Sequence, residues 1–145
     1  MTKEVIISIK GTQNYDGEND VIELVTAGTL TRQEGGYALT YEESELTGLE
    51  GTRTTFQVED ARVTLLRVGS VCSQMVFEEG QRHLSMYDTP YGSMEVGVNA
   101  RRVRASLNDG GGQIEINYAI EIDHAVAGEN LFRISVREKG PVLPQ

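Results

Sequence analysis

The chain has 145 residues, 13 of them basic and 22 acidic, which gives a formal net charge of −9 and a pI near 4.7. A phosphate backbone is bound by a basic surface, so this balance argues against nucleic acid as a partner, and six tyrosines without a tryptophan make a poor platform for stacking bases. The length fits a single domain, residues 1–145, able to bury about two thirds of its unfolded surface with no disulfide or metal staple.

The first apolar run, Val5 to Ile9, is too short for a signal peptide and ends at Lys10. No stretch is long and apolar enough for a membrane-spanning helix. The one cysteine, Cys72, has no partner for an internal disulfide and suits a reducing compartment. The expectation is a soluble cytoplasmic protein with no membrane contact. Cys72 lies in a strand pattern and reads as a small core residue rather than a reactive thiol.

Strand patterns recur along the chain, each bounded by Gly, Asn or Asp. Val5 to Lys10 comes first. Val21 to Ala27 follows the turn-rich segment Gln13 to Asp20. Thr29 to Arg32 runs into Gln33-Glu34-Gly35-Gly36, a hairpin signal, and then Tyr37 to Glu43. Gly51 to Val58 is rich in β-branched residues. Val63 to Val68 turns at Gly69-Ser70 into Val71 to Phe77, and Glu78-Glu79-Gly80 leads to Arg82 to Tyr87. Ser93 to Leu107 comes next, then the turn at Asn108-Asp109-Gly110, then Gln113 to Asp123. Leu131 to Glu138 is last, before a frayed tail. No segment keeps a helical period, and one helical turn near Glu42 to Leu49 is the most that fits.

Gln113 to Asp123 carries the clearest signal. Ile114, Ile116, Tyr118, Ile120 and Ile122 alternate with polar or small residues, which puts them on one buried face. Ser93 to Leu107 changes parity midway. Met94, Val96 and Val98 are apolar at even positions, and Val103, Ala105 and Leu107 at odd ones. A β-bulge near Asn99-Ala100-Arg101 resets parity in this way, and a bent strand helps to close a barrel. Pairing Leu107 with Ile114 would set Val103 against Tyr118. Arg102 and Arg104 would then face outward, near Glu115 and Glu121, while Arg101 could turn inward. Short strands with hairpin-length connections argue for an all-β fold. It should be a closed or nearly closed antiparallel barrel of about eight to ten strands.

The chemical motifs are thin. Thr12 to Glu23 places Asn14, Asp16, Gly17, Asp20 and Glu23 as a calcium loop would, but Thr12 brings no carboxylate and strands flank it, so it reads as a hairpin loop. Gly110-Gly111-Gly112 is followed by no Lys and no helix, so it is a turn and not a phosphate loop. His83 and His124 lack metal-ligand spacing with Cys72, and no metal or cofactor is expected. Glu43 shares parity with Tyr37, Leu39 and Tyr41, so an inward Glu43 needs a partner. Arg67, in phase with Val63 and Leu65, is the candidate. Such a group either orients a ligand or only satisfies itself.

Several stretches in order carry a resemblance: Tyr41-Glu42-Glu43, Glu45-Leu46-Thr47-Gly48, Gly51-Thr52-Arg53-Thr54, Leu65-Leu66-Arg67-Val68-Gly69, Met75-Val76-Phe77-Glu78-Glu79-Gly80, Tyr87-Asp88-Thr89-Pro90-Tyr91-Gly92 and Ile114 to Ile120. Together they resemble the YwiB-like bacterial family, a domain of unknown function with a calycin-type (lipocalin-like) β-barrel. The resemblance implies the fold and a bacterial cytoplasmic setting, and it brings no activity with it. Barrels of that type often hold a small apolar ligand in the mouth, which is an analogy of fold only.

The leading expectation is a barrel that binds a small apolar or amphipathic molecule. Tyr41, Glu43, Arg67, Met75, Tyr87 and Tyr91 are its candidate lining or mouth residues. Arg67 and Glu43 would orient a polar head. The alternative is an interaction module with a solid core, a homodimer formed through a long strand such as Ser93 to Leu107. An enzyme has only His83, Glu43 and Tyr87 as acid–base candidates, and the residues lean against it.

Overall fold

The period-two patterning is used from end to end. A computed structural model describes residues 2–15, 17–45, 49–89, 92–122 and 125–139 of the protein, with side chains left aside at 15 and 87–89. It contains ten strands: β1 (Thr2–Tyr15), β2 (Glu18–Gln33), β3 (Gly36–Glu42), β4 (Thr52–Glu59), β5 (Arg62–Gly69), β6 (Cys72–Glu78), β7 (Arg82–Thr89), β8 (Gly92–Asn108), β9 (Gly111–Ile122) and β10 (Ala125–Glu138). Each strand pairs antiparallel with the next, and β1 pairs with β10, so the sheet closes into an up-and-down barrel. The one thin seam is β6–β7. These strands pair only through Cys72↔Asp88 and Ser73↔Tyr87, while beside their turn Gly80 N donates to Ala100 O at 2.9 Å.

Strand lengths depart from the sequence reading in the first hairpin. Val21 to Ala27 and Thr29 to Arg32 are one strand, because Gly28 continues it. A side chain at Gly28 would run into Thr40 O and Ile7 Cδ1, so glycine permits β2 to lie that close to its neighbours. The turn-rich segment Gln13 to Asp20 is mostly strand as well. Asn14↔Asn19 and Tyr15↔Glu18 are cross-strand partners. The loop expected around Thr12 to Glu23 is therefore a tight hairpin, and Asp16 lies outside the described residues.

The β8–β9 hairpin corrects the register. Leu107 pairs with Gly112, Ala105 with Ile114 and Val103 with Ile116, not Leu107 with Ile114. The turn is only Asp109-Gly110, and Gly111 and Gly112 join the strand at φ of 122° and 142°. Only glycine adopts such values readily, and a Cβ on Gly112 would meet Ser106 O. The shift is two residues, so the inward face is unchanged. The bulge lies where the parity flip places it, between Ala100 and Arg102. Arg101 is the extra residue and turns outward, pairing with Glu129 at 2.7 Å, so its inward option is excluded. Arg102 reaches Glu115 at 3.9 Å, whereas Arg104 reaches Glu79 at 3.3 Å and Glu121 takes Arg82 at 3.0 Å. These exposed pairs are worth little to stability.

One further expectation changes. Cys72 is exposed, not core, because the inward phase of β6 falls on Ser73, Met75 and Phe77. β8 pairs with β7 over Gly92 to Asn99 and with β9 over Gly97 to Asn108, so its half from Arg101 to Leu107 has a strand neighbour on the β9 side alone. No helix among the described residues is long and apolar enough to cross a membrane.

The core fills one end of the barrel. Ile7, Leu39, Leu65, Phe77, Val98, Ile114, Ile116 and Ile134 are fully buried there, around the turns that join β2–β3, β4–β5 and β8–β9. Phe77 stacks at 4.7 Å on Tyr118, whose ring marks the upper limit of this packing. Phe77→Ala should cost about 3–5 kcal/mol of unfolding free energy in urea, since nothing at that end can collapse into the gap. Phe132→Ala, at the other end, should cost clearly less. Equal losses would mean the interior is packed alike throughout.

Candidate functional site

Interior positions toward the opposite end carry less side-chain volume. Gly11, Thr52, Thr54, Ser73 and Ser85 stand where the lower layers carry Leu, Ile and Phe. Ten strands also make a wider barrel than the eight whose interior side chains just fill. The result is a cavity of about 410 Å³ in the mouth half. One wall is apolar: Ile9 and Leu24 from β1 and β2, Val96 from β8, Tyr118, Ile120 and Ile122 from β9, and Phe132 from β10. The face that opened as a plain alternation is thus divided. Ile114 and Ile116 fill the base, and Tyr118, Ile120 and Ile122 wall the cavity.

The other wall is polar, and strand register builds it. Tyr41 pairs with Thr54, Thr54 with Arg67, Arg67 with Ser73, and Ser73 with Tyr87. These positions form one row across β3 to β7, and the side chains of Tyr41, Thr54, Arg67 and Ser73 in it are turned inward. Glu43 lies just above the row, held where its N–H donates to Thr52 O at 2.9 Å. Its side chain is only 2% exposed and that of Arg67 15%, and their charged atoms are 3.8 Å apart. Thr54 Oγ1 donates to Glu43 Oε2 at 2.8 Å. The pair attracts by charge, yet 3.8 Å is too long for a hydrogen bond, and Arg67 Nε has no acceptor among the described residues. Ser73 Oγ and both amide atoms of Asn130 also lack partners there, and Asn130 is 97% buried by its 3% exposure. Buried polar atoms are rarely left so.

Burial first, and then the negative charge of Glu43, hold the Tyr41 hydroxyl well above its ordinary value; the Arg67 charge opposes them. Tyr41 is therefore neutral at any ordinary pH.

A family model described as a domain of unknown function, DUF1934, matches residues 7–134. The chain belongs to that family. The crystal structure of the ywiB protein from Bacillus subtilis is similar to it, with a TM-score of 0.87 over 96% of this chain and 94% of that one, at 21% identity. At that identity the likeness carries the fold alone. No curated protein matches the chain in sequence. The DUF1934 match takes in every residue of the polar row and of the apolar wall.

Of the residues singled out from sequence in this DUF1934 chain, Tyr41, Glu43, Arg67 and Met75 line the cavity together. Tyr87 occupies the row by register, although its side chain is not described, and Tyr91 lies outside the described residues. His83 is not brought to the others. It pairs with Val98 in the filled half, 3.1 Å from Glu78 Oε1, so the His83, Glu43 and Tyr87 set does not assemble. His124 lies outside the described residues, and no metal-holding cluster occurs among those described. Sequence reasoning passed over Ser73 and Asn130. Ser73 shares the phase of Met75 and Phe77 and could have been found. Asn130 stood before the start assigned to the last strand.

Two outcomes test this site. Arg67→Met should cost about 3–5 kcal/mol because it strands the Glu43 carboxylate in the interior, and adding Glu43→Gln should restore most of the loss. Urea unfolding of the two variants reads this, and a harmless single variant would mean that Glu43 is solvated. Separately, stability should fall as pH rises past about 10, where the unfolded chain begins to lose the Tyr41 proton that the folded chain keeps. Tyr41→Phe should flatten that part of the pH dependence.

Proposed function

We propose that this protein binds a small amphipathic molecule in the mouth half of its barrel. One observation carries the reading: the cavity is two-sided, with an apolar wall facing Tyr41, Glu43 and Arg67, and the Arg67 Nε–H has no acceptor among the described residues. A volume of about 410 Å³ lies in the range of small-molecule sites, which are mostly apolar with a few placed polar groups. The apolar body would lie against Leu24, Ile120 and Phe132, and the polar head at Arg67. The buried Glu43–Arg67 pair supports this, because two well-packed apolar residues would hold the fold as well or better. The exposed single thiol of Cys72 suits a reducing, cytoplasmic setting.

Native mass spectrometry of freshly purified protein and titration with an environment-sensitive apolar dye test the proposal. A co-purifying small mass or a saturable dye site is expected. Leu24→Trp, which fills the cavity from the apolar wall, should weaken the dye at least about tenfold without loss of stability. Dye affinity untouched by Leu24→Trp would put the dye on the outer surface and remove the support.

A further inference from the structure

The polar row constrains the ligand further, on the assumption that the binding reading above holds. Glu43 and Arg67 are the only charged side chains among the described residues that line the cavity, and at 3.8 Å they cancel one another. A carboxylate entering here would be a third charge with no partner, drawn to Arg67 but facing Glu43. An ammonium group would meet the reverse. Either would give up its hydration for a site that is already neutral, and an unpaired buried charge is costly.

The unfilled hydrogen bonds point to a particular neutral group. Arg67 Nε–H can only donate, and it is buried without an acceptor among the described residues. Its cross-strand partner Ser73 holds a second buried hydroxyl without a partner among the described residues, although it is not one of those that line the cavity. A ligand oxygen against this wall would accept from the Arg67 guanidinium. Further round the barrel, Asn130 pairs with Gln13 and Tyr118, both cavity residues, and its amide has no partner among the described residues. It adds neutral hydrogen-bonding capacity and no charge.

We infer that the ligand of this barrel ends in an uncharged carbonyl group (amide, ester or ketone) held by the Arg67 guanidinium, and that carboxylates and amines are disfavoured. The Glu43 carboxylate sets this selectivity by neutralising Arg67, so it acts on the ligand through another residue.

The test is displacement of the bound dye by a matched series: octanamide, octanoate, octylamine and octane. Octanamide should bind tightest, by at least about tenfold over each of the others. Glu43→Gln removes one negative charge at nearly constant shape and should invert the order, so that octanoate exceeds octanamide. A purely structural Glu43 would weaken all four alike and leave their order intact. Octanoate or octylamine as the tightest wild-type ligand overturns the head-group inference and leaves the binding reading standing. Octane equal to octanamide does the same. If the dye binds at the Leu24 wall and no member of the series displaces it, the head-group inference again falls alone. If neither dye nor series binds, both readings fall. The wild-type order decides the matter even should the variant fail to fold.

Discussion

Pairing of β1 with β10 is the constraint on which everything else depends. Ile7 meets Val136 and Ile9 meets Ile134 across that junction, where the two ends of the strand sequence are zipped together. Without it the chain is a ten-strand meander with two open edges and one wet face. With it, alternate residues of every strand face a common interior, and the two terminal strands gain partners for their outer edges. The antiparallel order makes every connection but the nine-residue one between β3 and β4 a hairpin of two or three residues, so most of this arrangement forms from neighbours in sequence. The β1–β10 ladder alone must wait for the ends to meet.

Closure at ten strands then sets a problem of volume. The chain meets it with large aliphatic and aromatic residues at one end and small or polar ones at the other. The base is a true hydrophobic core, and the mouth half is left hollow. Tyr118 lies at the division, packed on Phe77 below and on Phe132, at 5.7 Å, above. Stability and site are thus kept in separate layers. The base can hold the barrel shut while the mouth carries buried polar atoms that a packed core would not tolerate.

Much of this was legible from residue order. Alternation in Gln113 to Asp123 named the inward face, and the parity change from Val98 to Val103 located the bulge at Arg101. Inward phase alone brought Tyr41, Glu43, Arg67 and Met75 to one interior. What the sequence could not supply is height. Phase says which face a residue takes but not its level along the barrel, and level decides whether it fills the base or lines the hollow. The misjudged Leu107–Ile114 register shows why: a glycine run leaves the turn length open by two residues with no change of face. Cys72 and Ser73 show a second gap. Two small adjacent residues carry no hydropathy contrast, so their phase follows only from Met75 and Phe77 further along β6.

The claim at the centre is a barrel solid at one end and hollow at the other. A crystal structure under xenon pressure tests it most directly, because the gas settles against apolar cavity walls. Xenon sites should appear against Leu24, Ile120 and Phe132, with none among Ile7, Phe77 and Ile116. A mouth closed by its own side chains, with no gas site and no solvent there, would contradict the account.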